Sequence, residues 1–403
     1  MWDMRRGYAA SLAIVLAAAS FCQTGWSRYR VYPATAAEAQ RINDSSLGMF
    51  SDEVAIGETD VIVAPGQLPE LARLRLPARW ISSLPDPRKW GETHPSADGD
   101  EYQTQYLRYD TIIAKYEEWR TQYPYLITRQ QFATSWNGRA LWAYKFLRPD
   151  GARNPDKSVV VTCGIHAREW ITPPLGMYIM DQLIKGFFTR SPFTPRIPPG
   201  TAFYFVPVIN PDGYEYCWTN NRMWRKNRRN NGGSFGVDLN RNYSKAWGGA
   251  GSSGTPSSET YRGPSAFSEP ELSGFRDFLG TIPPVKAFVD FHSYGQLILW
   301  PWSYTTTTAP GNSWLQSTGN AMKQAISAAT GFNYTAGQGS TTLYIASGSS
   351  KDYFYDRFDC PSYTIEVRDT GQTGFLLPAD QILPTQIENW AAFQELVAHM
   401  LDR

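Results

Sequence analysis

The stretch Gly164-Ile165-His166-Ala167-Arg168-Glu169-Trp170 follows a run of valines and carries a histidine and a glutamate three residues apart. The chain has only four histidines, and another, His292, ends a second apolar run in Phe291-His292-Ser293-Tyr294. Two imidazoles and one carboxylate form the ligand set of catalytic zinc sites, in which three protein ligands leave a fourth position open for water. The sequence therefore predicts one catalytic zinc ion per chain at His166, Glu169 and His292.

Two other interpretations of these residues have to be weighed. A structural zinc site needs four ligands, usually with cysteine among them, and the chain has no CxxC pair. An isolated HxxE pattern is short and common, so for His166 and His292 alone ordinary core or surface histidines would be the better interpretation. The motifs elsewhere in the chain decide between the two.

Strand and helix patterns alternate from about residue 102 onward. Apolar runs of strand length occupy residues 141–147, 158–161, 203–208, 287–291 and 363–367, and helical spacing of apolar residues occupies 108–123, 173–185 and 385–401. This alternation predicts an α/β domain with a largely parallel sheet. Ligands of such sheets bind beyond the carboxyl ends of the strands, and His166 and His292 stand at two such ends.

Composition limits the class of protein. The chain has 403 residues, of which 42% are hydrophobic and 19% charged, which indicates a globular protein with one large domain and a smaller one. The net charge of +1 gives no reason to expect nucleic acid or an anionic surface as a partner. The later part of the chain has no apolar run long enough to cross a membrane.

The N-terminal part divides into two segments. The basic start Met1-Trp2-Asp3-Met4-Arg5-Arg6 and the apolar residues 7–19 predict a secretory signal peptide over residues 1–22. Residues 23–98, with a strand over 60–65 and a helix over 68–76, are predicted to be a prosegment, and residues 99–403 the main domain. Removal of the signal peptide would leave Cys163, Cys217 and Cys360. At most one pair of these can form a disulfide, and the sequence does not say which.

Six motifs follow one another in a fixed order along the main domain. They are HARE at 166–169, NRMWRKN at 221–227, DLNRN at 238–242, FHSYGQ at 291–296, YIASG at 344–348 and EVRDTGQTGFLLP at 366–378. Each motif is weak alone, but in this order they are specific, and the chain resembles the M14 zinc metallocarboxypeptidases of the A/B type. The resemblance implies an α/β/α sandwich around a mixed, largely parallel sheet, and hydrolysis of the C-terminal peptide bond of peptides and proteins.

The resemblance also implies roles at the centre of the site. His166, Glu169 and His292 would hold zinc, and Glu366 would be the general base that activates the attacking water. Arg225 would stabilise the oxyanion, a role that suits a fixed guanidinium. The residues Arg228 and Arg229 that follow it are expected to lie mostly in solvent.

Other residues match the family's substrate-binding positions. Asn240 and Arg241 match the clamp for the terminal carboxylate, for which the guanidinium offers a bidentate fork, and Tyr344 matches the tyrosine that closes over it. Asp238 matches the acid that orients the first zinc histidine. Arg168 and Tyr294, with Arg222 as a further possibility, match the next subsite outward.

The main departure from the family pattern is Lys351, seven residues after Tyr344. This position matches the base of the pocket for the C-terminal side chain, where an apolar residue goes with apolar substrates and an acid with Lys or Arg. A lysine should favour Glu or Asp, provided that it faces the pocket rather than solvent or Asp352. Gly339 matches the pocket wall and would leave room.

Two further departures concern the clamp loop and the prosegment. A disulfide of many animal members is matched here by Ser234 and Ser257, so the loop around the clamp is expected to be more mobile. The prosegment is short and resembles the family's inhibitory prodomain only faintly.

The sequence thus favours a secreted zinc exopeptidase, made as a zymogen, that removes one C-terminal and preferentially acidic residue. One alternative keeps the apolar preference of A-type enzymes, and another is a non-catalytic peptide binder, although the ligands and the base are all present. The expected partners are peptide C-termini and an activating endoprotease. The protein is expected to be extracellular and monomeric, with neither nucleic acid nor membrane as a partner.

Overall fold

A computed structural model describes residues 26–43, 47–49, 56–63, 66–84, 100–148, 155–189 and 191–402 of the chain. The predicted signal peptide, which includes Cys22, and residues 85–99 lie outside the described residues. Within the described ranges, no helix combines the length and the apolar character that crossing a bilayer requires.

The N-terminal part of the chain forms a small antiparallel sheet with strand order β2-β3-β1-β4. Its elements are β1 (Trp26–Val31), α1 (Ala36–Asn43), β2 (Gly48–Met49), β3 (Thr59–Val63), α2 (Leu68–Arg73) and β4 (Ala78–Leu84). Its own core contains Val31, Ile42, Val61 and Leu71. These elements lie within the predicted prosegment, whose outer limits stay a prediction.

The main domain is built on an eight-stranded sheet. Its strands are β5 (Ile127–Thr134), β6 (Ala140–Leu147), β7 (Lys157–Thr162), β8 (Thr201–Val206), β9 (Val285–Ser293), β10 (Leu297–Trp300), β11 (Thr335–Gln338) and β12 (Ser362–Val367). The order is β11-β10-β12-β9-β7-β8-β6-β5. The central strands β12, β9, β7 and β8 are mutually parallel, whereas β6 pairs antiparallel with both β5 and β8, and β10 antiparallel with β12.

Helices cover both faces of this sheet. They are α3 (Tyr109–Gln122), α4 (Thr172–Thr189), α5 (Pro211–Thr219), α6 (Pro270–Leu279), α7 (Asn312–Thr330), α8 (Gly339–Thr342), α9 (Ser350–Phe358) and α10 (Ile382–Ala398). One core joins α3, α4, α7 and α10 to one face, and a second core joins α6 and α9 to the other. The predicted α/β/α sandwich around a mixed, largely parallel sheet is confirmed.

The alternation of side chains along β9 explains how the sheet serves the site. Ala287, Val289 and Phe291 enter the first core, whereas Phe288 enters the second. Because successive strand residues point to opposite faces, Asp290 and His292 share the face of Phe288. The last residues of β9 therefore place polar side chains at the carboxyl edge of the sheet, where apolar packing ends.

Two local features matter for the chain around the sheet. Helix α5 begins soon after β8, because Asn210 caps its first turn by accepting a hydrogen bond from the amide of Gly213 at 3.0 Å. Cys163, Cys217 and Cys360 are all free and buried, so none of the described cysteines forms a disulfide.

Candidate active site

The three predicted metal ligands converge beyond the carboxyl ends of β7 and β9. Nδ1 of His166 lies 2.8 Å from Oε1 of Glu169, and Nδ1 of His292 lies 3.2 Å from Oε2 of the same carboxylate. The two Nδ1 atoms are 3.1 Å apart, and all three side chains are buried. Two donors about 2.0–2.1 Å from a tetrahedral zinc ion stand roughly 3.3 Å apart, so the donor set and its spacing fit zinc.

The outer nitrogen of each histidine faces a buried carboxylate. Nε2 of His166 lies 3.2 Å from Oδ1 of Asp238, and Nε2 of His292 lies 2.9 Å from Oδ2 of Asp290. Such carboxylates fix the ring so that the inner nitrogen is free to bind metal. The structure places Asp238 where the resemblance puts it. The sequence analysis missed Asp290, although its position two residues before His292 on one strand was a usable signal.

The charges of the site favour a bound cation. Burial lowers the pKa of His292, but the charges of Asp290 and Glu169 outweigh burial and raise this pKa well above its ordinary value. Burial raises the pKa of Asp238, yet the neighbouring Arg225 and Arg241 hold it well below its usual range. Negative charge is thus retained around the two imidazoles, as a divalent metal site requires.

The segment that carries His166 is held by the chain around it. The amide of Gly164 donates to Oγ1 of Thr172 at 3.0 Å, and this hydroxyl donates to the carbonyl of Glu169 at 3.1 Å. The amide of Ala167 donates to the carbonyl of Arg225 at 3.0 Å. The turn between β7 and α4 is therefore closed on itself and tied to the NRMWRKN segment.

Glu366 stands beside His292 in the sheet, because β12 and β9 are parallel and pair these two residues in register. Burial raises the pKa of Glu366 to about 7, against the opposing charges of His292, Arg225 and Lys351. A carboxylate with a pKa near neutrality, next to a metal site, can both accept and return a proton.

Asp238 connects the metal ligands with the two arginines of the site. Its Oδ2 accepts hydrogen bonds from Nε and Nη2 of Arg225 at 3.1 and 2.9 Å, and Nη1 of Arg241 lies 3.9 Å away. Its Oδ1 accepts the backbone amide of Asn240 at 2.9 Å. A single carboxylate thus sets the relative positions of His166, Arg225 and the Asn240–Arg241 pair.

Asn240 and Tyr344 are brought to the same side of the cleft. Oδ1 of Asn240 accepts the amide of Ser350 at 2.8 Å, and this bond fixes which end of the side-chain amide is the donor. The Tyr344 ring is half exposed, and its centroid lies 5.8 Å from Cζ of Arg241.

Arg168 and Tyr294 meet through a third residue, Phe375. Cζ of Arg168 lies 4.2 Å from the centroid of the Phe375 ring, and the Tyr294 ring packs edge-on against the same ring at 5.0 Å. Arg222 donates to the carbonyls of Arg168 and Phe375, and it stacks on Trp170 at 3.7 Å. Arg222 therefore supports this wall of the cleft from behind, and the sequence analysis missed Phe375.

Arg228 and Arg229 do not lie mostly in solvent, which differs from the expectation. Cζ of Arg228 lies 3.7 Å from the Tyr216 ring and 4.6 Å from the Phe235 ring. Arg229 forms an ion pair with the buried Glu269 at 3.0 Å. Nearby aromatic faces around Arg228, and a carboxylate 40 residues away in sequence from Arg229, replace water around these guanidinium groups.

Lys351 is the second residue of α9 and is buried, with 4% of its surface exposed. Its ammonium donates to Oγ of Ser303 and comes so close to Gly339 that a Cβ there would lie 3.0 Å from Nζ. Burial lowers the pKa of Lys351, the charge of Asp352 opposes this shift, and the charges of Arg241 and Glu366 act on it as well. The carboxylate of Asp352 also accepts the amides of Ser303 and Tyr304. The ammonium thus lies inside the domain, within electrostatic reach of Asp352, Arg241 and Glu366.

The family model described as zinc carboxypeptidase, of the M14 peptidases, matches residues 112–392. Human carboxypeptidase B is 36% identical over 309 residues, which cover 76% of this chain and 73% of that protein. Bovine carboxypeptidase A1 is 37% identical over 283 residues, covering 70% of this chain and 67% of that protein.

Two solved structures resemble the chain. Bovine thrombin-activatable fibrinolysis inhibitor, in complex with tick carboxypeptidase inhibitor, matches with a TM-score of 0.69 and 33% identity over 75% of this chain and 99% of that one. Carboxypeptidase A from Helicoverpa armigera matches with a TM-score of 0.68 and 25% identity over 94% of this chain and 98% of that one.

Proposed function

Because the chain belongs to the M14 zinc carboxypeptidase family and is a metallocarboxypeptidase of the A/B type, we propose that it releases single acidic residues, Glu or Asp, from peptide C-termini. The observation that carries this proposal is the buried ammonium of Lys351, which lies against Ser303 and Gly339. Glu366 and Arg241 are close enough to influence its charge. A desolvated cation attracts a carboxylate side chain and repels a cationic one.

The terminal carboxylate of the substrate is assigned to Arg241 and Asn240. Among the described residues, the guanidinium of Arg241 donates Nε to Gly251 and Nη1 to its neighbour's carbonyl, both at 2.8 Å, so Nη2 and one Nη1 hydrogen remain for a ligand. The Asn240 amide adds a further donor, and the half-exposed Tyr344 can close over the bound group. A free C-terminal carboxylate can accept from these donors in a bidentate manner, which supports exopeptidase action.

The chemical step is assigned to Glu366 and Arg225. The chemistry that a zinc ion held by His166, Glu169 and His292 supplies is Lewis-acid polarisation of the scissile carbonyl and a lower pKa of the attacking water. Glu366 accepts the proton of that water and passes it to the amine that leaves. Arg225, held by two hydrogen bonds that it donates to Asp238, donates to the oxygen that becomes negatively charged.

The residue before the scissile bond, and those further from the C-terminus, are assigned to the wall formed by Arg168, Tyr294 and Phe375. The contacts of Phe375 with Arg168 and with Tyr294 give a continuous surface of one guanidinium and two rings. Such a surface contacts the backbone and side chain of a peptide without demanding one residue type.

We also propose that the protein is exported and made as a zymogen, which rests on the N-terminal sequence pattern. The Helicoverpa armigera match covers 94% of this chain, more than the main domain alone, and this supports a folded prosegment. Mass spectrometry of the secreted protein, with activity measured before and after limited proteolysis, tests both points. Full activity of the uncleaved chain would contradict the zymogen.

Substrate preference is tested with the processed, zinc-loaded enzyme on three peptides that differ only in a last residue of Glu, Phe or Lys. Faster release of Glu than of Phe or Lys is expected. Faster release of Phe would keep the carboxypeptidase but replace the acidic pocket by an A-type preference. Absence of release from all three would favour a peptide binder without catalysis.

A further inference from the structure

The loop formed by residues 248–262 lies against the proposed carboxylate clamp. Its two arms are held together by hydrogen bonds from the Ser253 amide to the Thr260 carbonyl at 2.9 Å and from the Arg262 amide to the Ser253 carbonyl at 3.0 Å. The carbonyl of Gly251 in this loop accepts Nε of Arg241 at 2.8 Å. The position of the loop therefore determines how the guanidinium of Arg241 is presented to a substrate.

The same loop supports the segment that carries Tyr344. Gly251 adopts a left-handed conformation with φ of 75°, and a Cβ built on it would lie 1.8 Å from the carbonyl oxygen of Ile345. The hydroxyl of Ser347 donates to the carbonyl of Ala250 at 2.7 Å. The loop thus touches both proposed parts of the clamp, the arginine and the tyrosine segment.

A single buried ammonium anchors this loop from below. Lys226 follows Arg225 directly and has only 2% of its surface exposed. Its Nζ donates to the carbonyl of Pro256 at 3.1 Å and to the carbonyl of Ser258 at 2.8 Å. The backbone of Lys226 is itself fixed, because its carbonyl accepts the indole nitrogen of Trp224 at 2.6 Å.

Hydrogen bonds hold both ends of the connection that Lys226 makes between the NRMWRKN segment and the loop. On one side, the amide of Asn227 donates to the carbonyl of Val237, one residue before Asp238, at 3.1 Å. On the other side, the ammonium holds the loop on either side of Ser257. A buried ammonium that lost these carbonyls would have to find other acceptors or water, so the link is costly to break.

We propose that Lys226 is a positioning residue for substrate binding, which fixes the loop 248–262 and thereby the orientation of Arg241 and the Tyr344 segment. This inference rests on the proposed function, because Arg241 is taken as the arginine that binds the terminal carboxylate. Lys226 touches neither the substrate nor the reacting atoms. Its removal should therefore weaken binding of the terminal carboxylate and leave the chemical step largely unchanged.

The experiment compares Lys226→Met, Lys226→Arg and Arg241→Ala with the unsubstituted, zinc-loaded enzyme on the peptide that it cleaves best. Lys115→Met is the matched control, because Lys115 pairs with Glu118 on α3 and does not contact the loop. For Lys226→Met we expect KM to rise about tenfold and kcat to stay within about threefold. Lys226→Arg, which keeps a cation with several donors, should recover much of this loss. Hydrogen exchange should be faster at the Ser253 and Arg262 amides in Lys226→Met alone.

The outcomes separate the two levels of inference. Arg241→Ala with a raised KM and Lys226→Met with an unchanged KM would overturn the role of Lys226 and leave the proposed function intact. Arg241→Ala with an unchanged KM would overturn both. A parallel fall in kcat and thermal stability without a change in KM would show a merely structural role. If Lys226→Met does not fold, Lys226→Gln, which keeps one amide donor, is held to the same criteria.

Discussion

Replacement of Lys351 by methionine is expected to change which C-terminal residue the enzyme releases. Methionine has nearly the length of lysine but no charge, so the pocket keeps its shape and loses its cation. The preference should move from Glu towards Phe. Lys351→Asp should go further and favour a C-terminal Lys in the substrate. The pocket would then carry a negative charge beside the Ser303 hydroxyl, which in the unsubstituted enzyme accepts a hydrogen bond from the ammonium.

The size of the effect follows from the surroundings of the ammonium. It is buried, and it is close to the backbone of Gly339 and to Oγ of Ser303, so a substrate carboxylate would meet it with little water between them. Two unit charges about 4 Å apart attract by about 4 kcal/mol at an effective dielectric constant of about 20. Loss of one partner of such a pair costs about 2–5 kcal/mol, which corresponds to roughly 30- to 5,000-fold in kcat/KM for the Glu peptide.

The assay measures kcat/KM of the unsubstituted enzyme, Lys351→Met and Lys351→Asp on peptides ending in Glu, Phe and Lys. Lys245→Met is the matched control. Its ammonium lies 4.8 Å from the Trp302 ring, close to the same region, but it pairs with Asp356 on the surface of α9. The control should leave the ratio of the Glu to the Phe rate within about twofold, as is usual for surface substitutions.

Two results would refute the reasoning. If Lys351→Met still released Glu at the original rate relative to Phe, the ammonium would not contact the substrate side chain. If Lys245→Met changed the ratio as much as Lys351→Met, the selectivity would reflect the overall field of the cleft rather than a contact in the pocket. Zinc content must be equal in all variants, so that the comparison concerns the pocket alone.

Three further predictions concern the metal site and stability. Glu366→Gln should lower kcat about 100- to 10,000-fold while metal analysis still finds zinc, and full activity would contradict a general base at this position. Asp290→Asn should weaken zinc binding about 10- to 100-fold in competition with a chelator, because His292 loses the carboxylate behind it, and equal affinity would remove that role. Burial, with the charge of Glu269, raises the pKa of Glu271 from 4.5 to about 8, so the folded state holds a proton that the unfolded chain loses, and stability should fall as pH rises between these values. Glu271→Gln should flatten that decline in the free energy of unfolding measured by urea, and an unchanged slope would assign it to other groups.

The alternation of strands and helices was predictable because hydrophobic periodicity is a local property of the chain. The strands that carry Val159, Phe288 and Ile365 were recognised from short apolar runs, and their bounds differ from the structure by a few residues at most. The same local pattern placed His166 and His292 at strand ends. The mixed, largely parallel character of the sheet came from the family resemblance, and the order of its eight strands was not predicted, because pairing joins segments that are far apart along the chain.

The residues of the site could be recognised in the sequence, but the contacts between them could not. The spacing of His166 and Glu169, three residues apart, predicted a metal site, yet the inner nitrogens of His166 and His292 meet across 126 residues. Asp290 could have been found from strand alternation, since it shares a face with His292. Phe375, which joins Arg168 to Tyr294, carries no comparable signal.

The sequence by itself determined the kind of domain and the set of candidate catalytic and metal-binding side chains, because periodicity and residue type are local properties of the chain. What only the tertiary structure decided is the neighbour of each charge. The ammonium of Lys351 reaches Ser303 across 48 residues, and that of Lys226 reaches Ser258 across 32. A buried charge must find its partners wherever folding brings them, and those positions depend on how helices and loops pack on the sheet, not on any spacing in the chain.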